Sequence, residues 1–313
     1  MTKRGWSLFL AMCVIWGLPY LFIRIAVDEV SPAALVFHRT ALAAVVLLPL
    51  ALWAGQVRAV LARWPALVLF AAIEIMIPWV LLGHAEQEIS SALAGLLVAA
   101  VPLVGALAFL VTAHAERFTP LQAGGLVLGF LGVASLLGLD LEHLDLVAVL
   151  EMLGVALCYA AGPIVLTRWF SDLPGLGVMA CALTLTALVY TPFGIVDGVS
   201  DVSGQGWASI VALGLICTAL AFLVFPALIK EVGPTRATIF TYVNPVVAIV
   251  LGVLVLDEQV SVGMLVGFPL ILVGCVIAAG GRKVDAHTVA AVEPAADVAL
   301  TLDSPDIEDG TQH

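Results

Sequence analysis

Residues 102–132 read PLVGALAFLVTAHAERFTPLQAGGLVLGFLG, and residues 245–274 read PVVAIVLGVLVLDEQVSVGMLVGFPLILVG. Counted from Glu116 in the first stretch and Glu258 in the second, a hydroxyl residue follows at +3 (Thr119, Ser261) and glycines at +9 (Gly125, Gly267) and +16 (Gly132, Gly274). Pro102 precedes its glutamate by 14 positions and Pro245 by 13. Each copy is a long apolar run, a polar break, and a second apolar run with glycines seven apart. This reads as a pair of membrane helices that occurs twice, and so as a duplicated half.

The rest of the chain agrees with a lipid solvent. Of 313 residues, 62% are hydrophobic and 11% charged, and the mean hydropathy is +1.15, against roughly 25% charged residues in ordinary soluble domains. The apolar runs are continuous over about 20 residues and do not alternate, which favours helices over a barrel. Ten spans are expected: 7–26, 32–53, 65–84, 90–112, 120–139, 145–168, 173–195, 207–229, 235–256 and 261–281. The fold class is therefore all-α integral membrane, with a cytoplasmic N-terminus over residues 1–6 and five-helix repeats over 7–139 and 145–281. Lys3 and Arg4 before an apolar run resemble a signal peptide, but without a convincing small-residue cleavage site the run is read as the first span.

Charge sets the expected orientation. The net charge is −11, but residues 284–313 hold seven acids (Asp285, Glu293, Asp297, Asp303, Asp306, Glu308, Asp309) and no Lys or Arg, so the remainder, with 12 bases and 16 acids, carries only −4. Residues 282–313 read as an acidic, disordered cytoplasmic tail. Placing the N-terminus in the cytoplasm puts Lys3, Arg4, Arg58, Arg63, Arg117, Arg168, Lys230, Arg236, Arg282 and Lys283 on that side. Asp28, Glu29, Glu86, Glu88, Asp140, Glu142, Asp145, Asp197, Asp201, Asp257 and Glu258 fall on the other, as the positive-inside rule requires. Both termini are expected in the cytoplasm, in the cell (inner) membrane. Five spans per half then force the halves to cross in opposite directions. Pro19 and Arg24 match Pro163 and Arg168 at the same spacing, and Pro32 with Pro49 mirrors Pro174 with Pro192. Inverted repeats give many secondary transporters two similar-energy states around a midplane site.

The duplicated signature, with Trp16-Gly17, Arg39 and the run Gly233-Pro234-Thr235-Arg236-Ala237 leading to Asn244-Pro245, resembles the EamA-type transporters of the drug/metabolite transporter superfamily over about residues 7–281. The first copy departs from that pattern, with His114-Ala115-Glu116 where such proteins often have Gly-Glu. The resemblance implies a secondary transporter, an exporter of a small organic metabolite such as an amino acid or a toxic compound. It does not identify the solute.

Polar residues inside spans are the site candidates, because a charge at a helix centre costs about 2.5 to 3.5 kcal/mol on insertion scales. Glu74 lies midway along span three and is a candidate proton carrier; the alternative is a buried glutamate that fixes packing. Arg39 suits a substrate carboxylate; the alternatives are an interhelical ion pair with Glu151 at the same depth on span six, or a side chain that snorkels outwards. Arg24 and His38 read as snorkelling or local packing. Pro19 follows Trp16 and precedes Tyr20 in span one, Gly162-Pro163 falls in span six, and Tyr242 and Asn244 precede Pro245 in span nine. These are expected helix breaks that open a site lined by Trp16, Tyr20, Tyr242 and Asn244. Glu116 and Glu258, on opposite faces, are expected to cap the helices that follow them, and the paired glycines to serve packing.

No His-Glu-x-x-His sequence or comparable cluster points to an enzyme, and no Walker A sequence to ATP hydrolysis. Cys13, Cys158, Cys181, Cys217 and Cys275 fall in apolar runs without metal spacing. No cofactor, metal or nucleic acid is expected; the partners are the lipid bilayer, a small-molecule substrate and protons. The competing reading is a membrane-embedded sensor or assembly subunit without net transport.

Overall fold

The computed structural model of the protein describes residues 1–111, 119–138, 145–197 and 201–279. Among these every regular element is helical: α1 Lys3–Ile15, α2 Leu18–Val27, α3 Pro32–Trp53, α4 Val57–Leu61, α5 Trp64–Ala71, α6 Ile77–Glu88, α7 Ser91–Val98, α8 Val101–Val111, α9 Pro120–Gly138, α10 Leu146–Phe170, α11 Gly175–Val196, α12 Gly204–Gly214, α13 Ala221–Val232, α14 Pro234–Ala237, α15 Asn244–Leu256 and α16 Val262–Ala279. A π-helical turn, Ala72–Met76, joins α5 to α6, another, Leu215–Leu220, joins α12 to α13, and a 3₁₀ turn, Thr238–Tyr242, precedes α15. Among the described residues eight continuous or composite helices are long and apolar enough to cross a membrane; Ser91–Leu107 and Val262–Ala278 are shorter apolar helices.

Local chemistry sets the helix starts. Ser31, Ser90, Asp145, Ser203 and Ser261 each accept from backbone N–H groups two or three residues on. Thr119 and Gln122 bond reciprocally in a capping box at the start of α9. The outward face is apolar, with Val45, Leu121, Leu188, Ile195 and Leu254 exposed, as a lipid-facing surface requires.

Helices pack in pairs: α1 with α13, α3 with α11, α6 with α10, α7 with α15, and α9 with α16. The last pair carries the glycine stripe. A Cβ on Gly132 would stand 2.7 Å from the Gly267 carbonyl, and one on Gly267 would stand 2.6 Å from the Gly132 carbonyl. Only hydrogen side chains allow this backbone approach.

Polar ties close the two ends. At one, Arg63 donates to both Asp172 carboxyl oxygens at 2.6 Å and to the Trp169 carbonyl at 2.5 Å. This contact holds the Asp172 carboxyl below the usual carboxylate range. At the opposite end, Glu29 accepts from the Ser203 N–H at 2.5 Å and its hydroxyl at 2.7 Å, which lowers the Glu29 carboxyl in the same way. Beside it Arg24 pairs with Asp28 at 2.5 Å, and the Ser31 hydroxyl donates to Asp197.

Two sequence expectations change here. Glu258 does cap a helix, but not the one that follows it: its carboxylate accepts from the Ser91 and Ala92 N–H groups, at 2.7 and 3.0 Å, at the start of α7. Ser261 already serves the first turn of α16, leaving Glu258 free to satisfy orphan donors on a neighbouring helix. The counterpart, Glu116, lies outside the described residues. Secondly, Gly162-Pro163 does not break span six, since α10 runs through it as one helix.

Candidate functional site

The breaks that do form converge on the middle of the molecule. Between α1 and α2 the chain turns at Trp16-Gly17 ahead of Pro19; between α7 and α8 it turns at Ala99-Ala100 ahead of Pro102; and the 3₁₀ turn ends at Tyr242-Val243 ahead of Pro245. In each case the proline falls in the first turn of the helix that restarts, where its missing N–H leaves no intrahelical bond unmade. Gly17 lets Val247 of α15 sit against the first break, where a Cβ would overlap that side chain.

These three breaks and both π-helical turns line a cavity of about 440 Å³. Trp16, Tyr20, Arg39, Glu74, Tyr242 and Asn244 all face it. Glu151 does not, and the Arg39–Glu151 ion pair is not formed. The Arg39 guanidinium instead lies 3.6 Å from the centroid of the Trp79 ring, and its Nε donates to Thr218 Oγ1 at 3.0 Å. Arg39 is only 8% exposed, and among the described residues no carboxylate pairs with it.

The π-helical turns explain two placements. Thr218 lies in the second one and donates to the Leu213 carbonyl, five residues back, at 2.8 Å, which fixes its oxygen as acceptor for Arg39. Glu74 lies in the first, and its Oε2 is shut off from solvent with no hydrogen-bond partner. Gly162 on α10 provides the room for it, because any Cβ there would overlap the Glu74 carboxyl. An extra residue in a helical turn rotates a side chain off the regular register, and here both rotations supply cavity polar groups.

Asn244, oriented with its amide nitrogen donating, bonds the Phe240 carbonyl at 3.0 Å and the Cys13 carbonyl at 3.2 Å. It thereby ties the break in span nine to the break in span one. Trp16 rests among Phe222, Phe225 and Phe240, with ring centroids 5.1 to 6.2 Å away. His38 bonds the Ala34 carbonyl at 2.8 Å and packs edge-on against Trp207, a local packing role.

Sequence reasoning missed Trp79, Thr218 and Tyr159 as lining residues. Trp79 had a signal, lying five residues beyond Glu74 in Glu-Ile-Met-Ile-Pro-Trp; Thr218 is a single hydroxyl in an apolar run and had none. Glu86, which the charge count places in a loop, is fully buried on α6. Among the described residues no group of three or more His, Cys, Asp or Glu could hold a metal ion.

A bundle of apolar helices enclosing a cavity, with a cation that no carboxylate pairs and a buried acid on its wall, has the build of a multi-pass membrane protein. The chain belongs to the EamA-like transporter family, which it matches twice, over residues 3–138 and 146–280. It is 24% identical over 289 residues to an uncharacterized transporter of Archaeoglobus fulgidus, covering 88% of this chain and 98% of that protein. It is 29% identical over 249 residues to the uncharacterized inner membrane transporter YedA of Escherichia coli K12, covering 77% and 79%. A solved crystal structure shares the fold, with a TM-score of 0.61 at 22% identity over 89% of this chain and 98% of the other.

Proposed function

We propose that this chain is a secondary active transporter that exports a small organic metabolite, such as an amino acid or a toxic compound, by alternating access coupled to protons. The reading rests on one observation: Arg39, almost fully buried and without a carboxylate partner among the described residues, lines the same aromatic-walled cavity as the unpartnered Glu74. A buried guanidinium carries a large desolvation cost unless an anion satisfies it, and a carboxylate solute supplies that anion in bidentate geometry. Trp16, Tyr20 and Tyr242 form the apolar wall, Asn244 holds the broken helices in place and offers its amide oxygen to the solute, and Glu74 carries the proton. The cavity volume falls within the range of small-molecule sites, roughly 300–1,000 Å³.

In this reading Ser91–Leu107 and Val262–Ala278 also cross the membrane, giving ten spans in two inverted five-helix repeats. The packing supports it. Numbered by span, the paired helices are one with eight, two with seven, three with six, four with nine and five with ten. Exchanging each span for the one five places away leaves that set unchanged, as a two-fold pseudosymmetric bundle requires. The end closed by Arg63 and Asp172 is assigned to the cytoplasm, together with both termini, and the end holding Glu29 and Ser203 to the outside of the inner membrane.

The test is flux from proteoliposomes loaded with a defined mixture of L-amino acids and other carboxylate metabolites, read by mass spectrometry of the outer medium. The wild-type chain is expected to release at least one carboxylate solute, and Arg39→Ala to lose that release while still eluting as a folded protein. Equal release from both proteins removes Arg39 from the site. No release of any solute by the wild type favours the sensor reading.

A further inference from the structure

Beyond the central cavity lies a second one, of about 550 Å³, at the Glu29–Ser203 end. Helix α6 runs along both. Its Trp79 and Leu82 line the central cavity, and its Gln87 and Glu88 line this vestibule. Glu86 lies between these two sets, in the partition, and belongs to neither lining. Its side chain is 0% exposed, and neither carboxyl oxygen meets a donor in good hydrogen-bond geometry; the Arg24 backbone N–H makes the one near approach among the described residues. The Ser91 hydroxyl, at the start of the next helix α7, is likewise buried without a partner.

The charged groups that face Glu86 are Glu258, Arg24 and Arg39. Each already has another engagement. Glu258 is fixed as an acceptor by the α7 N–H groups, Arg24 by Asp28, and Arg39 by Trp79 and Thr218. Tyr20 of α2 lies within the same electrostatic group. From α10, Glu151 faces His84 and Glu88, not Glu86, and α7 brings no charged residue. A charge on Glu86 would therefore stand out of water, short of hydrogen bonds and beside a second carboxylate, so burying it is costly.

We propose that Glu86 is a second proton-binding carboxyl, set in the partition between the vestibule and the central cavity, which exchanges its proton with vestibule water. The proton arrives from hydronium in the vestibule and returns there, leaving a carboxylate that Arg24 or Arg39 can then pair. The site's role in coupling rests on the transport reading, whereas proton binding at Glu86 does not.

The experiment is a pH-difference infrared titration of the full chain in lipid vesicles, read in the C=O stretch of protonated carboxyl groups, in sodium and in choline buffers. The wild type is expected to retain a protonated-carboxyl band at neutral pH that Glu86→Gln removes, Glu86→Asp shifts, and Glu74→Gln leaves in place. If Glu86→Gln does not fold, the Glu86→Asp shift alone assigns the band. A wild-type band unchanged in both Glu86 variants overturns the proposal. Disappearance of the band on replacing choline by sodium at constant pH also overturns it, since the site would then take a metal cation. Failure of Glu74→Gln to change any band counts against proton carriage by Glu74 and leaves Glu86 standing.

Discussion

The α9–α16 pair and the central cavity are both products of the repeat, yet they are built in opposite ways. In the pair, unbroken helices meet backbone to backbone along Gly125, Gly132, Gly267 and Gly274, and no charged group intervenes. Around the cavity, three helices are interrupted, two more carry π-helical turns, and Arg39 and Glu74 are left short of partners. What is duplicated most faithfully in sequence is the rigid seam. The chemistry gathers where the two halves differ: Arg39 has no counterpart arginine on α11, and Glu74 none in the Leu215–Leu220 turn.

The sharpest way to break this contrast is to give the seam a side chain. Gly267→Leu places a branched group against the Gly132 carbonyl and should prevent folding or cost at least about 1–3 kcal/mol, read as loss of the monodisperse peak or a lowered melting temperature. A normal melt would mean that the seam is looser than its backbone distances imply. In the cavity the expectation is reversed. Arg39→Ala should lower carboxylate flux by roughly 10- to 100-fold, the worth of hydrogen bonds to a charged group, with the melt little changed. Gly162→Ala sharpens the comparison further, because one methyl on α10 must displace Glu74. Flux and its pH dependence should shift more than the melting temperature does, whereas the same substitution at Gly124, where a Cβ meets open space, should change neither.

The smallest effect belongs to the exposed ties. The Ser203 hydrogen bonds hold the Glu29 carboxyl below its ordinary value, so their contribution is complete above the unfolded carboxylate range and is lost as pH falls through the lowered folded value. Glu29→Gln should therefore melt slightly below the wild type at neutral pH, and the gap should close under acid. A gap that widens under acid would contradict the assigned bonding.

Much of this was legible in the sequence because it is written in long-range patterns. The helical class follows from uninterrupted apolar runs, the seam from glycines at matched spacing, and Arg39, Glu74 and Asn244 from the cost of polar groups at membrane depth. What the sequence hid depends on rotation about a helix axis. Thr218 reaches Arg39 only through a π-helical turn, and one-dimensional spacing does not announce that turn. Depth alone placed Glu151 opposite Arg39, but the guanidinium faces Trp79 and Thr218 instead. A proline likewise does not determine whether its helix breaks: Pro19, Pro102 and Pro245 follow interruptions, while α10 continues through Pro163. Charge counting places Glu86 in a loop, although the helix carries it on for another turn into a fully buried position.

The central claim is that the unpartnered groups of the cavity perform proton-coupled transport, and the most direct test is solute flux driven by an imposed pH gradient in proteoliposomes, comparing the wild type with Glu74→Gln. The account predicts that the gradient accelerates release of a carboxylate solute from the wild type, and that the variant still exchanges the solute between the two sides but no longer responds to the gradient. A Glu74→Gln protein whose flux follows the pH gradient as the wild type's does would contradict it.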